Sequence, residues 1–287
     1  MATNHSFVFC QPKFFSAYNL PALAGEIFPI PARWNAPPLT RGCGTLRLRI
    51  LLPAGAGGLA LRLPDIATAS RVLINGHIAV ETGQVACAEE GVVERLQPQL
   101  LPLADAETID LEIQMANFAD RQGGVWGPVL LGPHFILERE RQVSQGYEAL
   151  LAGAMLLMGI YHLFLYAFRS SDKSPLHFGV FCLLIGLRSL LTGERWLLSV
   201  LPDLPFWISF RMEYLTGYAA VPVFLQFFHS LHRSELAHWP RRLLSMAAWP
   251  ACIAVLVLPA SYYTRTLPYY QIITLVVIIY ILSCSVF

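Results

Sequence analysis

Between residues 143 and 287 the chain consists of long apolar runs separated by short polar breaks, and this pattern restricts its second half to a set of membrane-spanning helices. The runs lie at about 147–168, 175–200, 205–231, 241–259 and 266–287. Each is near or above the ~20 residues that cross about 30 Å of hydrocarbon. The breaks carry turn chemistry: Arg169 to Pro175, Pro202 to Pro205, Arg233 to Arg242, and Pro259 to Pro268. Charged residues make up 14% of the chain, well under the ~25% of soluble domains. Most of them fall in residues 1–142, so two domains of different solvent class are expected, divided at about 138/139.

Loop charge orients the spans. Arg169 and Lys173 follow the first run, and Arg233, Arg241 and Arg242 follow the third. The second and fourth breaks hold almost no basic residues, Arg265 being the exception. The first and third loops are therefore expected in the cytoplasm and the amino-terminal half outside. This makes the chain a multi-pass membrane protein.

The second and third runs contain charges. LLIGLRSLLTGERWLLS, residues 183–199, holds Arg188, Glu194 and Arg195, and the next run holds Arg211 and Glu213. A charge near the bilayer centre costs about 2.5–3.5 kcal/mol on insertion scales. With the two runs antiparallel, these groups lie at similar depths, at 1.5 Å per residue. Glu194 with Arg211, or Glu213 with Arg188 or Arg195, would offset the cost. Such a pair is either a clamp fixing helix packing or an element whose pairing shifts with ligand state. His162 in the first run reads as a packed core histidine.

The first half reads as β-structure. GTLRLRILL, residues 44–52, alternates apolar and basic side chains, the pattern of a half-buried antiparallel strand. LALRL at 59–63 and IDLEIQM at 109–115 alternate likewise. RVLIN meets HIAVET at Asn75-Gly76, a two-residue hairpin signal. Residues 125–137 give a last apolar stretch broken by Gly127-Pro128 and Gly132-Pro133. Short strands punctuated by Gly and Pro predict an all-β domain, a β-sandwich or jelly roll. LERERQVSQGYEALL then predicts a helix leading into the first span. GAGGLA at 55–60 matches a dinucleotide fingerprint in letters only. It joins two alternating strands and so reads as a hairpin loop.

Catalytic and metal-binding signatures are missing from the sequence: no H-E-x-x-H, G-x-S-x-G or P-loop occurs. No cofactor, metal or enzymatic role is expected, and the charge pattern gives no basic stripe for nucleic acid. The six cysteines, Cys10, Cys43, Cys87, Cys182, Cys252 and Cys284, include no C-x-x-C pair. They read as small core residues, with one disulfide in the first half left open. Glu89 and Glu90 read as solvated loop residues. Asp65, Asp105, Asp110 and Asp120 have no diagnostic calcium spacing. Trp34, Asn75, Asn117, Arg121 and Trp126 cluster near strand ends, where a jelly roll can stack on and hydrogen-bond a sugar. Packing accounts equally for the two tryptophans and backbone bonding for Asn117. Arg121, in ADRQGG, is the strongest ligand candidate.

IPARW, GTLRLRILLP, LRLPDIATASRVLINGHIAVETG and IQMANFADRQGGVWGPVLLG resemble the extracytoplasmic galactose-binding-like jelly roll, a β-sandwich, of bacterial seven-transmembrane receptors with diverse intracellular signalling modules. FLYAFRSSDKSPLHFGVFCLLIGLRSLLTGERWL and FRMEYLTGYAAVPVFLQFFHSL resemble that family's membrane half, so the resemblance covers about residues 28–287. It implies a receptor whose jelly roll senses a small molecule or carbohydrate. Its spans would relay the state to a cytoplasmic signalling module or protein, such as a kinase, cyclase or phosphatase, with a homodimer as the candidate assembly. The chain departs from the family in having five runs, no effector and no clear signal peptide, so both ends are expected to be incomplete. A transporter or membrane enzyme with an accessory β domain is the alternative, as is a passive binding or adhesion protein.

Overall fold

The structure, a computed structural model, describes residues 6–9, 26–29, 32–34, 41–53, 55–231 and 238–285. Cys10, Arg233 and Phe287 lie outside the described residues, as do the side chains of Trp34, Arg241 and Cys284. The chain divides into two compact units, Met1–Gln142 and Val143–Phe287.

The first unit is a β-sandwich. Its strands are β1 (Ser6–Phe9), β2 (Glu26–Pro29), β3 (Ala32–Trp34), β4 (Gly42–Leu51), β5 (Leu59–Leu63), β6 (Ile66–Ala67), β7 (Ala69–Ile74), β8 (His77–Thr82), β9 (Gln99–Pro102), β10 (Thr108–Asn117), β11 (Gly123–Val125) and β12 (Leu130–Pro133). One sheet runs β2-β1-β4-β10-β7-β8, and two three-stranded sheets run β3-β11-β6 and β12-β5-β9. Alternation builds the core. Leu46, Ile50, Ile109, Leu111, Ile113 and Met115 of the large sheet share one buried cluster with Leu61, Leu63, Ile66 and Val125 of the small ones. On the opposite face of β4 and β10, Arg47 pairs with Glu112 at 2.8 Å and Arg49 grips both oxygens of Asp110 at 2.6 and 3.0 Å. These residues face one another directly in the β4–β10 register, as opposite charges on neighbouring strands should.

Two expectations for this unit are corrected. Residues 53–58 form no hairpin, because β4 and β5 belong to different sheets. Alternation marks which face of a strand is buried and carries no information about its partner. Cys43 and Cys87 are not separate core thiols; they form a disulfide that closes 44 residues of chain. Glu89 is exposed, as expected, and there it accepts a hydrogen bond from Arg41 at 2.8 Å.

The second unit is helical. A single helix, α1 (His134–Phe168), runs across the division between units. It is followed by α2 (Ser174–Leu191), the short α3 (Trp196–Val200), α4 (Phe206–Leu231), α5 (His238–Val257), the short α6 (Ala260–Tyr263) and α7 (Leu267–Ser285). His134–Phe168, Ser174–Leu191 and Ala260–Ser283 are long and apolar enough to cross a membrane, and Ser245–Val257 is apolar but shorter. The 26 residues of α4 carry Arg211, Glu213, Gln226 and His229. The run expected to be helical over 175–200 ends at Leu191, because Gly193 and Arg195 take left-handed φ of 66° and 55°. α1 and α2 meet where side chains are smallest: a Cβ on Gly159 would lie 3.0 Å from the Gly179 carbonyl oxygen. Close backbone approach at small residues is the usual way membrane helices gain packing. α4 and α7 are joined by Tyr218 stacked on Tyr270 at 4.1 Å between ring centroids. His162 packs edge-on against Phe178, with Nδ1 2.9 Å from the Met158 carbonyl oxygen.

Candidate functional site

Two places gather polar groups that the fold alone does not require. The first is an end of the sandwich, around the residues after β10. Asn117 is fully buried; its Nδ2 donates to the Asp120 carbonyl at 2.9 Å and its Oδ1 accepts from the Asp120 N–H at 3.0 Å. Asn117 therefore shapes the loop that presents Arg121. Trp126 is half-buried and donates through Nε1 to the Gln122 carbonyl at 3.1 Å, spanning β11. Arg121 is half-buried on that loop. Asn75 belongs elsewhere: it sits in the exposed Asn75-Gly76 turn at φ 52° and accepts from the Asp110 N–H at 2.8 Å. Its role there is to shape the turn. The backbone of Trp34 pairs with Gly123, which brings β3 beside this loop's exit strand. The Cys43–Cys87 disulfide and the Arg41–Glu89 pair tie the segment after β8 to the start of β4. Arg41 also lies 6.0 Å from the Phe118 ring centroid.

The second place is the break between α2 and α3. α2 stops as Thr192 returns its N–H and its hydroxyl to the Arg188 carbonyl, at 3.1 and 3.0 Å. Gly193 then turns left-handed under the carboxylate of Glu148 on α1, so close that a Cβ would meet Oε1 at 2.1 Å. Both oxygens of Glu148 accept from the Glu194 N–H, at 3.3 and 3.1 Å. The Glu194 side chain is buried. Arg195 is 4% exposed and opens α3. Its Nη1 donates to the Leu191 carbonyl at 3.0 Å and to Oε2 of Glu213 at 3.1 Å. Arg188 donates to the main-chain carbonyl of the same Glu213.

Glu213 is thus held by two arginines, one on its carboxylate and one on its backbone. Arg211, two residues earlier, points elsewhere. It donates to the carbonyls of Leu256 and Leu258 at 3.3 and 3.5 Å and lies 5.8 Å from the Trp207 ring centroid. These are carbonyls at the carboxyl end of α5, where a helix leaves its last acceptors without partners and favours a cation. Glu148 was missed from the sequence. It lies where the first apolar run begins, and an isolated acid at that edge is the only signal it offers. Among the described residues no group of three or more His, Cys, Asp or Glu side chains is placed to hold a metal ion.

No curated protein matches the chain. Solved structures that are similar include a GH2 β-galacturonidase from Eisenbergiella tayi, 16% identical over 45% of this chain and 23% of that one, with a TM-score of 0.33. A β-glucuronidase from Faecalibacterium prausnitzii is 18% identical over 41% of this chain and 20% of that one, with a TM-score of 0.30. A β-glucuronidase from Ruminococcus gnavus is 14% identical over 46% of this chain and 29% of that one, with a TM-score of 0.34. The chain spans less than a third of each of these, and matches so thin say nothing of a shared substrate. The family described as 7TM diverse intracellular signalling matches residues 144–287, the whole of the segment that holds the helix break and its arginines. This is a membrane protein, and it belongs to the 7TM diverse intracellular signalling family.

Proposed function

We propose that this chain is the sensing and relaying part of a bacterial signal receptor. In this reading the β-sandwich lies outside the cytoplasmic membrane and binds a small molecule, with carbohydrate as the class. All five apolar runs cross the bilayer, and the bundle passes the ligand state to a cytoplasmic signalling module or protein. The observation that carries the reading is the chain of contacts from Glu148 through the Gly193–Arg195 break to Glu213. Glu148 stands on the same helix that leaves the last strand of the sandwich, and Glu213 stands on α4. A displacement of α1 would change the acceptor offered to the Glu194 N–H and so the position of Arg195. That is the differential contact a two-state relay needs. The Cys43–Cys87 disulfide supports an oxidising compartment for the sandwich. The basic loops after the first and third runs support cytoplasmic placement of those loops.

The ligand half is tested on the whole chain in nanodiscs, by calorimetric titration with galactose, glucose, galacturonate, glucuronate and N-acetylglucosamine. Saturable binding to one of them, lost in Arg121→Ala, is expected. Absence of binding across the set overturns carbohydrate as the class. The relay half is tested by spin-label distances between α2 and α4 with and without the bound sugar. Unchanged distances in the saturated protein overturn it.

A further inference from the structure

One face of α1 is an exposed apolar stripe that outruns the hydrocarbon core of a membrane. From Val143, apolar residues recur four and three positions apart through Tyr147, Leu150, Ala154 and Leu157. The alternation continues through Tyr161 and Phe164 to Phe168. This is the 3.5-residue spacing with which two helices keep one seam in contact. Ala154 is exposed, and the seven larger side chains are 50–89% exposed. The rest of the bundle lies on the other side of the helix, where Ala152 is buried and Gly159 meets Gly179 of α2. At 1.5 Å per residue the stripe is about 39 Å long, against ~30 Å of hydrocarbon. Its Phe168 end adjoins Arg169, and its Val143 end stands among Gln142, Ser144 and Gln145. The Val143 end therefore projects into water, where lipid tails do not cover it.

We propose that this stripe is a dimer seam, along which α1 of one chain packs in parallel against α1 of a second copy. The two copies enter the membrane in the same direction, so a two-fold axis along the helices sets each residue beside its own counterpart. Such a contact must be self-complementary. The stripe meets that demand, since no charged residue falls on it and the small Ala154 lies between the larger Leu150 and Leu157. Four of the seven larger side chains are aromatic, each able to cover ~150–250 Å². With the aliphatic ones the stripe offers on the order of 800 Å² per partner, the share of a stable interface. Glu148 lies off the stripe and keeps its bond to the Glu194 N–H. The seam does not depend on what the sandwich binds.

The test uses the whole chain with a self-labelling tag at its carboxyl end, donor and acceptor pools being mixed in phosphatidylcholine vesicles. Energy transfer should exceed that of random proximity and saturate as the lipid-to-protein ratio falls. Ala154→Trp, which puts bulk into the seam, should weaken association by roughly tenfold or more, and Leu157→Ala should weaken it too. Both residues are exposed, so the melting of the single chain should be retained. Ile279→Trp, at an exposed position of α7, should leave association unchanged. Val143→Cys should crosslink two chains on oxidation, and Ala149→Cys, on the Ala152 side of the helix, should not. Transfer at the random level at every ratio overturns the proposal and leaves lipid on the stripe. A dimer that Ala154→Trp and Leu157→Ala do not move, that Ile279→Trp weakens instead, or that fails to crosslink at Val143→Cys overturns it as well.

Discussion

Nη1 of Arg195 lies 3.1 Å from Oε2 of Glu213, joining the short helix after the α2 break to the second turn of α4. The two side chains are 5% and 15% exposed, so the pair is nearly dry. In such surroundings the desolvation of two charges offsets much of their attraction, whereas one charge left alone is strongly destabilising.

Glu213→Leu should therefore lower stability by about 3–5 kcal/mol, and Arg195→Met by a comparable amount. The double variant should recover most of the loss, because no charge is stranded. Thermal unfolding of the four proteins in nanodiscs checks this. A double variant as unstable as the sum of its parents would mean that each residue acts through other partners.

Gly193 is required twice over, by its left-handed φ of 66° and by the Glu148 carboxylate above it. Gly193→Ala should cost about 1–2 kcal/mol from backbone conformation alone, and more as Glu148 is pushed off the Glu194 N–H. Adding Glu148→Ala should return only the steric part. Melting of Gly193→Ala at the parent temperature would refute the close approach.

The Cys43–Cys87 bridge closes 44 residues. By loop entropy its removal should cost the sandwich about 4 kcal/mol, less whatever structure the reduced unfolded state retains. Urea unfolding of the chain with and without Cys43→Ser and Cys87→Ser measures this. Intact mass after alkylation, before and after reduction, should differ by the two thiols.

Burial pushes the Glu94 carboxyl above its ordinary range, and the charge of Glu89 adds to the effect. The folded state then holds this proton more tightly than the unfolded chain. Stability consequently falls as pH rises from the ordinary glutamate value through the raised one, and the penalty is complete above it. Glu94→Gln should be the more stable protein at pH 7, with the difference vanishing below about pH 4. A Glu94→Gln advantage that stayed constant from pH 4 to 7 would sink this assignment.

The sequence by itself determined the faces of the strands and the division between a polar half and an apolar half. Leu46, Ile50, Ile109 and Leu111 are buried because the two-residue period of a strand is written in consecutive positions. Arg47, Arg49, Asp110 and Glu112 lie on the other face for the same reason. The left-handed Asn75-Gly76 turn was legible because its two residues are adjacent. What joins distant positions was decided by the tertiary structure. That β4 and β5 part into different sheets, that Cys43 finds Cys87, and that Glu148 caps the break after α2 all depend on where the chain returns. Local periodicity does not record that. The arginines make the same point. Composition placed Arg188, Arg195 and Arg211 near Glu194 and Glu213. The left-handed turn at Gly193 and Arg195 sets Arg195 on the Glu213 carboxylate, while the packing of α2 and α5 against α4 sets Arg188 on its carbonyl and Arg211 on the end of α5. A charge can be counted from the sequence, but its partner is chosen by backbone direction and helix packing, and at Arg195 that direction changes within three residues.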